Sequence, residues 1–176
     1  MEEQLKTDFL KIIRNSKFSK NNIKLKEDYL NKFIESGFPN KNNENWKFSD
    51  ISQIIKKKIG DLSFYNDYSL SNEVNSSDFI DGLEHNKIVF INGRIEKIDF
   101  GYEDKDKIEI LDEVEVKKNF DNINSLINLN NAFANKFYKI IIKKNYIFKK
   151  PLIIYHITNN KIKSKNINLR LDFLLE

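Results

Sequence analysis

The sequence predicts an α+β chain that opens with helices and closes with strands. Three observations predict it. Apolar residues recur at helical spacing near the start of the chain. The pattern changes to that of a hairpin around Asn92-Gly93. From Tyr138 onward, short apolar runs alternate with brief polar corners. The chain therefore divides into a helical region, residues 1–62, a mixed α/β connecting region, residues 63–137, and a strand-rich region, residues 138–176.

In the first helix, Leu5, Phe9, Ile12 and Ile13 form one stripe. In the second, Leu25, Tyr29 and Phe33 step by four, with Leu30 and Ile34 beside them. Gly37 stops that helix, because glycine accepts a left-handed backbone, and Pro39 prevents its resumption. A third helix is predicted from Ile51 to Ile59, capped by Asp50 and stopped by Gly60. Lys56, Lys57 and Lys58 fall at its C-terminal end, where cations suit the helix dipole.

A short helix is expected near Ser77–Leu83. Ile88–Ile91, Asn92-Gly93 and Arg94–Ile98 then read as a hairpin, since a type I′ turn needs positive φ at both central positions. A strand at Ile108–Leu111 and a helix at Ser125–Asn135 follow. The remaining apolar runs, Ile140–Ile142, Tyr146–Phe148, Leu152–Ile157 and Leu169–Leu175, read as strands. They suit a sandwich, a barrel or a β-solenoid. With no glycine after Gly101, wide solenoid corners are easier to build than tight hairpins.

Composition narrows the function. With 40% hydrophobic and 12% aromatic residues in 176, the chain can bury a core. There is no cysteine, which excludes disulfides, thiolate ligands and thiol nucleophiles. The formal charge of +4 invites a nucleic-acid reading. The basic residues, however, are 27 Lys and 3 Arg, beside 25 Asn and 26 Ile. Arginine is the better bidentate reader of phosphate and guanine, and it is scarce. An A+T-rich coding bias accounts for the composition without a ligand. The acidic start, Met1-Glu2-Glu3-Gln4, is unlike a secretory signal, and no apolar run would span a membrane. A cytoplasmic location is expected.

Candidate chemistry is thin. His85 and His156 lie far apart and cannot make a zinc site by themselves. No glycine-rich phosphate loop is present. Acid pairs such as Asp8 with Glu35, or Asp112 with Glu113, read as solvated surface. Lys47 and Lys56–Lys58, interleaved with Trp46 and Phe48, are the best basic–aromatic patch, and they frame the alternative of a small nucleic-acid-binding module. The expectation is a non-enzymatic chain with no catalytic, cofactor-binding or metal-ligating residue.

One constellation stands out: Gly37-Phe38-Pro39, Asn40-Lys41, then Glu44-Asn45-Trp46-Lys47-Phe48-Ser49-Asp50-Ile51. It resembles a hallmark segment of the SufB/SufD family of iron–sulfur cluster assembly scaffolds. Ile88–Arg94 is similar to that family's apolar strand followed by Asn-Gly-Arg. Leu129–Ala134, Ile140–Ile142 and Lys150–Ile153 resemble its passage into the β core. These blocks cover most of the chain in family order, and the lack of cysteine is closer to SufD.

The resemblance implies the N-terminal portion of a SufD-like protein whose final residues begin a right-handed parallel β-helix. It implies partnership with a SufB-like subunit and a SufC-like ATPase in a SufBCD-type complex. The full complex would assemble the iron–sulfur cluster, and this segment would bind no cofactor. The usual glycine between Ala134 and Tyr138 is absent. Within this frame Trp46 is expected to anchor the junction of the helical region. With at most one or two solenoid turns, residues 138–176 are expected to pack poorly.

Overall fold

The computed structural model describes residues 1–41, 46–48, 50–55, 57, 62–64, 78–113, 124–158, 162 and 165–176. Within them, α1 spans Glu2–Arg14, α2 Lys20–Ser36, α3 Ile51–Ile54 and α4 Ser125–Phe133. The strands are β1 Asn86–Ile91, β2 Arg94–Asp99, β3 Ile108–Glu113, β4 Phe137–Ile142, β5 Leu152–Ile157 and β6 Arg170–Leu175. They belong to two compact units, each assembled from separated stretches of chain. No helix among the described residues is long and apolar enough to cross a membrane.

The first unit is helical. Leu5, Phe9 and Ile12 of α1 are buried, as their spacing requires. In α2 the buried positions are Asn22, Lys26, Tyr29, Leu30 and Phe33. The buried stripe therefore passes through a lysine. Ser19 caps α2 by accepting the Asn22 amide, and Gly37 closes it at φ 66°. Asp50 caps α3 by accepting the Gln53 amide at 3.0 Å.

Helix α4 is the hub of this unit. Asn124 caps it through the Leu126 amide, and Leu129, Ala132 and Phe133 are buried along it. The Phe133 ring stacks on Phe64 at 3.6 Å and meets the edge of Phe9 at 6.1 Å. Asn130 Nδ2 donates to the Leu169 carbonyl at 3.0 Å. Phe64 also forms a parallel bridge with Asn166.

The second unit holds two three-stranded sheets, ordered β2-β1-β5 and β3-β4-β6. In the first, β2 runs antiparallel to β1 and β5 runs parallel to it, with Asn86 opposite Leu152 and Ile91 opposite Ile157. Asn92 and Gly93 make the turn at φ 52° and 82°. In the second sheet, β3 runs antiparallel to β4, with Ile108 opposite Ile142. β6 joins the other edge of β4, where the Glu176 amide donates to the Ile142 carbonyl at 3.0 Å. Ile88, Val89, Phe90, Ile91 and Ile140 are the second unit's most deeply buried apolar side chains.

The strands therefore do not begin a parallel β-helix. A solenoid stacks each strand parallel on the one before, whereas β2 and β3 pair antiparallel with β1 and β4. The positive φ at both turn residues folds β2 straight back on β1. The result is a small α+β fold with two mixed sheets, an arrangement in which an antiparallel edge strand is ordinary.

Two local expectations also fail, and a third falls partly outside the described residues. Residues 79–83 are irregular rather than helical. Residues 146–148 are not a strand, because Asn145 takes φ 60° and the Tyr146 amide bonds the Lys143 carbonyl in a turn. The α-helical part of the third helix ends at Ile54; Ile59 and Gly60 lie outside the described residues.

Candidate functional site

Within the second unit, the start of β2, strand β3 and the start of β4 line a cleft of about 420 Å³. Its walls are Arg94, Ile95, Asp112, Lys136 and Tyr138. Arg94 is placed by the Asn92-Gly93 turn, which ends immediately before it and sets it at the first position of β2. Lys136 directly precedes β4, and Asp112 faces Tyr138 in the β3–β4 register.

Tyr138 is the floor, at 5% exposure, with its ring edge-to-face against Phe90 at 5.4 Å. Its hydroxyl oxygen accepts the Ile95 amide at 3.3 Å. Burial pushes the Tyr138 pKa up, partly offset by the Ile95 hydrogen bond, with lesser effects of Asp112 upward and Arg94 downward. The phenol is therefore a neutral donor across the ordinary pH range. At the rim, Lys136 Nζ pairs with Asp112 Oδ2 at 2.6 Å, and both side chains keep substantial solvent contact. Among the described lining residues the charged groups are Arg94, Lys136 and Asp112.

The first unit contains a second unusual cation. Lys26 is fully buried, yet its ammonium donates to the main-chain carbonyls of Asn131, at 3.0 Å, and Ala134. Nζ also lies 4.8 Å from the centre of the Phe18 ring. Burial drives the Lys26 pKa down to about 7. The carbonyls belong to the end of α4, where the helix dipole favours a cation.

The residues singled out by sequence are mostly accounted for structurally. His85 Nδ1 lies 2.5 Å from the Leu83 carbonyl, and Nε2 lies 2.7 Å from the Tyr155 hydroxyl. A carbonyl can only accept, so Nδ1 carries a proton, and in the neutral ring Nε2 accepts from the Tyr155 hydroxyl. His156 stacks on Phe90 at 4.9 Å, and the partial burial holds its pKa below the usual value. Among the described residues no group of three or more His, Cys, Asp or Glu side chains could hold a metal ion.

Asp8 bonds Gln4 and Lys11 of its own helix rather than framing an acid pair. Asp112 does enter the cleft, with Lys136 rather than Glu113 as its partner. Trp46 is half-buried and Phe48 is 93% exposed, while Phe133 is among the fully buried aromatic residues of the first unit. Glu44, Asn45, Ser49, Lys56 and Lys58 lie outside the described residues, and Lys57 is exposed.

Sequence reasoning missed Lys26, Lys136 and Tyr138. Only Arg94 carried a signal, as one of three arginines and directly after Asn-Gly. No protein-family model matches the chain, and the search of curated proteins found no match.

Proposed function

We propose that this chain is the N-terminal part of a SufD-like scaffold that works with a SufB-like subunit and a SufC-like ATPase in iron–sulfur cluster assembly. It contributes no catalytic group, cofactor or metal ligand to that work. The role is a cytoplasmic one, without nucleic acid or membrane as partner.

The observation that supports this reading is how the motif residues are used. Leu129–Ala134 is the most family-like stretch of the second half, and its side chains and carbonyls are spent on architecture. Leu129, Ala132, Phe133 and Ala134 are buried, Asn130 ties down Leu169, and the Asn131 and Ala134 carbonyls hold Lys26. Asn92 and Gly93 likewise set a turn. Residues that serve packing and turns suit a scaffold better than an enzyme.

Affinity capture tests the proposal. The chain is passed over an immobilised SufB-like subunit with a SufC-like ATPase present, and separately over single-stranded DNA at increasing salt. Stoichiometric retention by the protein pair is the expected result. Flow-through from the protein pair, with salt-sensitive retention on DNA, would favour a nucleic-acid module instead.

A further inference from the structure

We propose that two neighbouring loops of the second unit, residues 100–107 and 143–151, form a docking surface for an acidic protein segment that carries a bulky apolar side chain. The inference does not rest on the scaffold reading, since these two loops carry it.

The loops are joined side by side. The Lys143 amide donates to the Lys107 carbonyl at 3.1 Å, and Lys149 Nζ pairs with Glu103 Oε2 at 2.9 Å. Each loop also holds its own shape. The Asp104 and Lys105 amides both donate to the Gly101 carbonyl. Asn145, at φ 60°, turns the other loop so that the Tyr146 amide reaches the Lys143 carbonyl. A surface set before its partner arrives loses less freedom on binding.

Each loop turns an apolar side chain outward. The Tyr146 and Phe148 rings meet edge-to-face at 5.0 Å and are half-buried, and Ile147 between them in the chain is 84% exposed. Tyr102 is 95% exposed. These two are the most exposed large apolar side chains of the second unit among the described residues. An apolar side chain held in water by a fixed turn gains free energy when a partner covers it.

Charge selects the partner. The loops hold Lys105, Lys107, Lys143, Lys144, Lys149 and Lys150 against Glu103, Asp104 and Asp106. Lys149 and Lys150 already pair with Glu103 and Glu84. Lys105, Lys107, Lys143 and Lys144 are exposed and form no ion pair among the described residues. Carboxylates are their complement. A phosphate-rich partner suits the surface less well. Neither loop contains arginine, the bidentate phosphate ligand, and Glu103 sets a negative charge beside Tyr102. A peptide can answer that charge with a lysine or a main-chain N–H. An anionic bilayer or a nucleic-acid backbone meets it with further negative charge.

The test is an NMR titration of the isotope-labelled chain, following the Tyr102 and Ile147 amides. The probes are an end-blocked Asp-Glu-Leu-Phe-Glu-Asp peptide, the same peptide with Ala-Ala at its centre, single-stranded oligothymidylate and phosphatidylserine vesicles. The expected result is saturable shifts with the first peptide, weakened by added salt, and roughly tenfold weaker binding of the other three. Ile147→Ser and the pair Lys143→Gln with Lys144→Gln are exposed changes whose fold a thermal melt verifies. Ile147→Ser should weaken the first peptide roughly tenfold, to the level of the Ala-Ala peptide. The lysine pair should weaken both peptides and flatten the salt dependence. Equal or tighter binding of the oligonucleotide or the vesicles, equal binding of both peptides, or full affinity in the Ile147→Ser chain would each overturn the proposal. So would the absence of shifts with the first peptide.

Discussion

The ammonium of Lys26, buried in α2, donates to the carbonyl of Ala134 just past the end of α4. A lysine thereby serves as the C-terminal cap of another helix. It joins two segments far apart in sequence, and it does so from a fully buried position.

Stability should therefore depend on pH through Lys26. Burial lowers its pKa in the folded chain to about 7, whereas the unfolded side chain keeps the ordinary 10.5. Between these values the unfolded state binds the extra proton, so stability rises as pH climbs from about 7 to about 10.5. Below that window the penalty is constant. Lys26→Met keeps most of the volume and removes the titration. Chemical denaturation at several pH values should show the wild type gaining on the variant as pH rises. Parallel curves would mean that Lys26 reaches water.

Phe133→Ala should cost about 3–5 kcal/mol, the usual range for emptying a large buried aromatic site. Phe133 is 1% exposed and is touched by both Phe9 and Phe64. Phe48→Ala is the control, since a 93% exposed ring should change stability by no more than ~0.5 kcal/mol. Urea midpoints at constant m-value give both numbers. A small Phe133 effect would remove α4 as the hub.

These residues mark how far the sequence could be read. Helix stripes, the Gly37 stop and the Asn92-Gly93 turn depend on neighbours a few positions away, so spacing alone reveals them. Lys26 was invisible because a lysine in a stripe reads as surface, and only the distant carbonyls at the end of α4 make its burial tolerable. The β1–β5 pairing joins strands separated by β2, β3, α4 and β4, which no local pattern encodes. The same apolar runs suit a solenoid and a mixed sheet. Strand direction separates the two, and it was set by β2 and β3 turning back. The cleft collects side chains at the start of β2, in β3 and around the start of β4, so it existed in no single motif.

Gly93→Ala should cost about 1–2 kcal/mol, the penalty for a side chain in the left-handed region. Gly93 sits at φ 82° in the turn that precedes Arg94. Unchanged melting with Ala in place would indicate that the turn relaxes to another type.

Asn86→Ala tests a second buried tie in the sheet unit. Asn86 is fully buried at the start of β1; its Nδ2 donates to Asp104 Oδ2 at 2.7 Å and its Oδ1 accepts the Gly101 amide at 2.8 Å. Asp104 is itself 2% exposed, and its other oxygen, Oδ1, is buried with no hydrogen-bond partner among the described residues. Truncating Asn86 strips a donor from a carboxylate already short of one, and an unsatisfied buried charge costs more than a lost neutral bond. The expected loss is about 2–4 kcal/mol, above the ~1 kcal/mol of an ordinary hydrogen bond. Adding Asp104→Asn to the variant should restore part of it, because the amide carries no charge to strand. A double-mutant cycle by denaturant unfolding reads the coupling directly. Strictly additive losses would show that Asn86 and Asp104 do not share the energy their geometry implies.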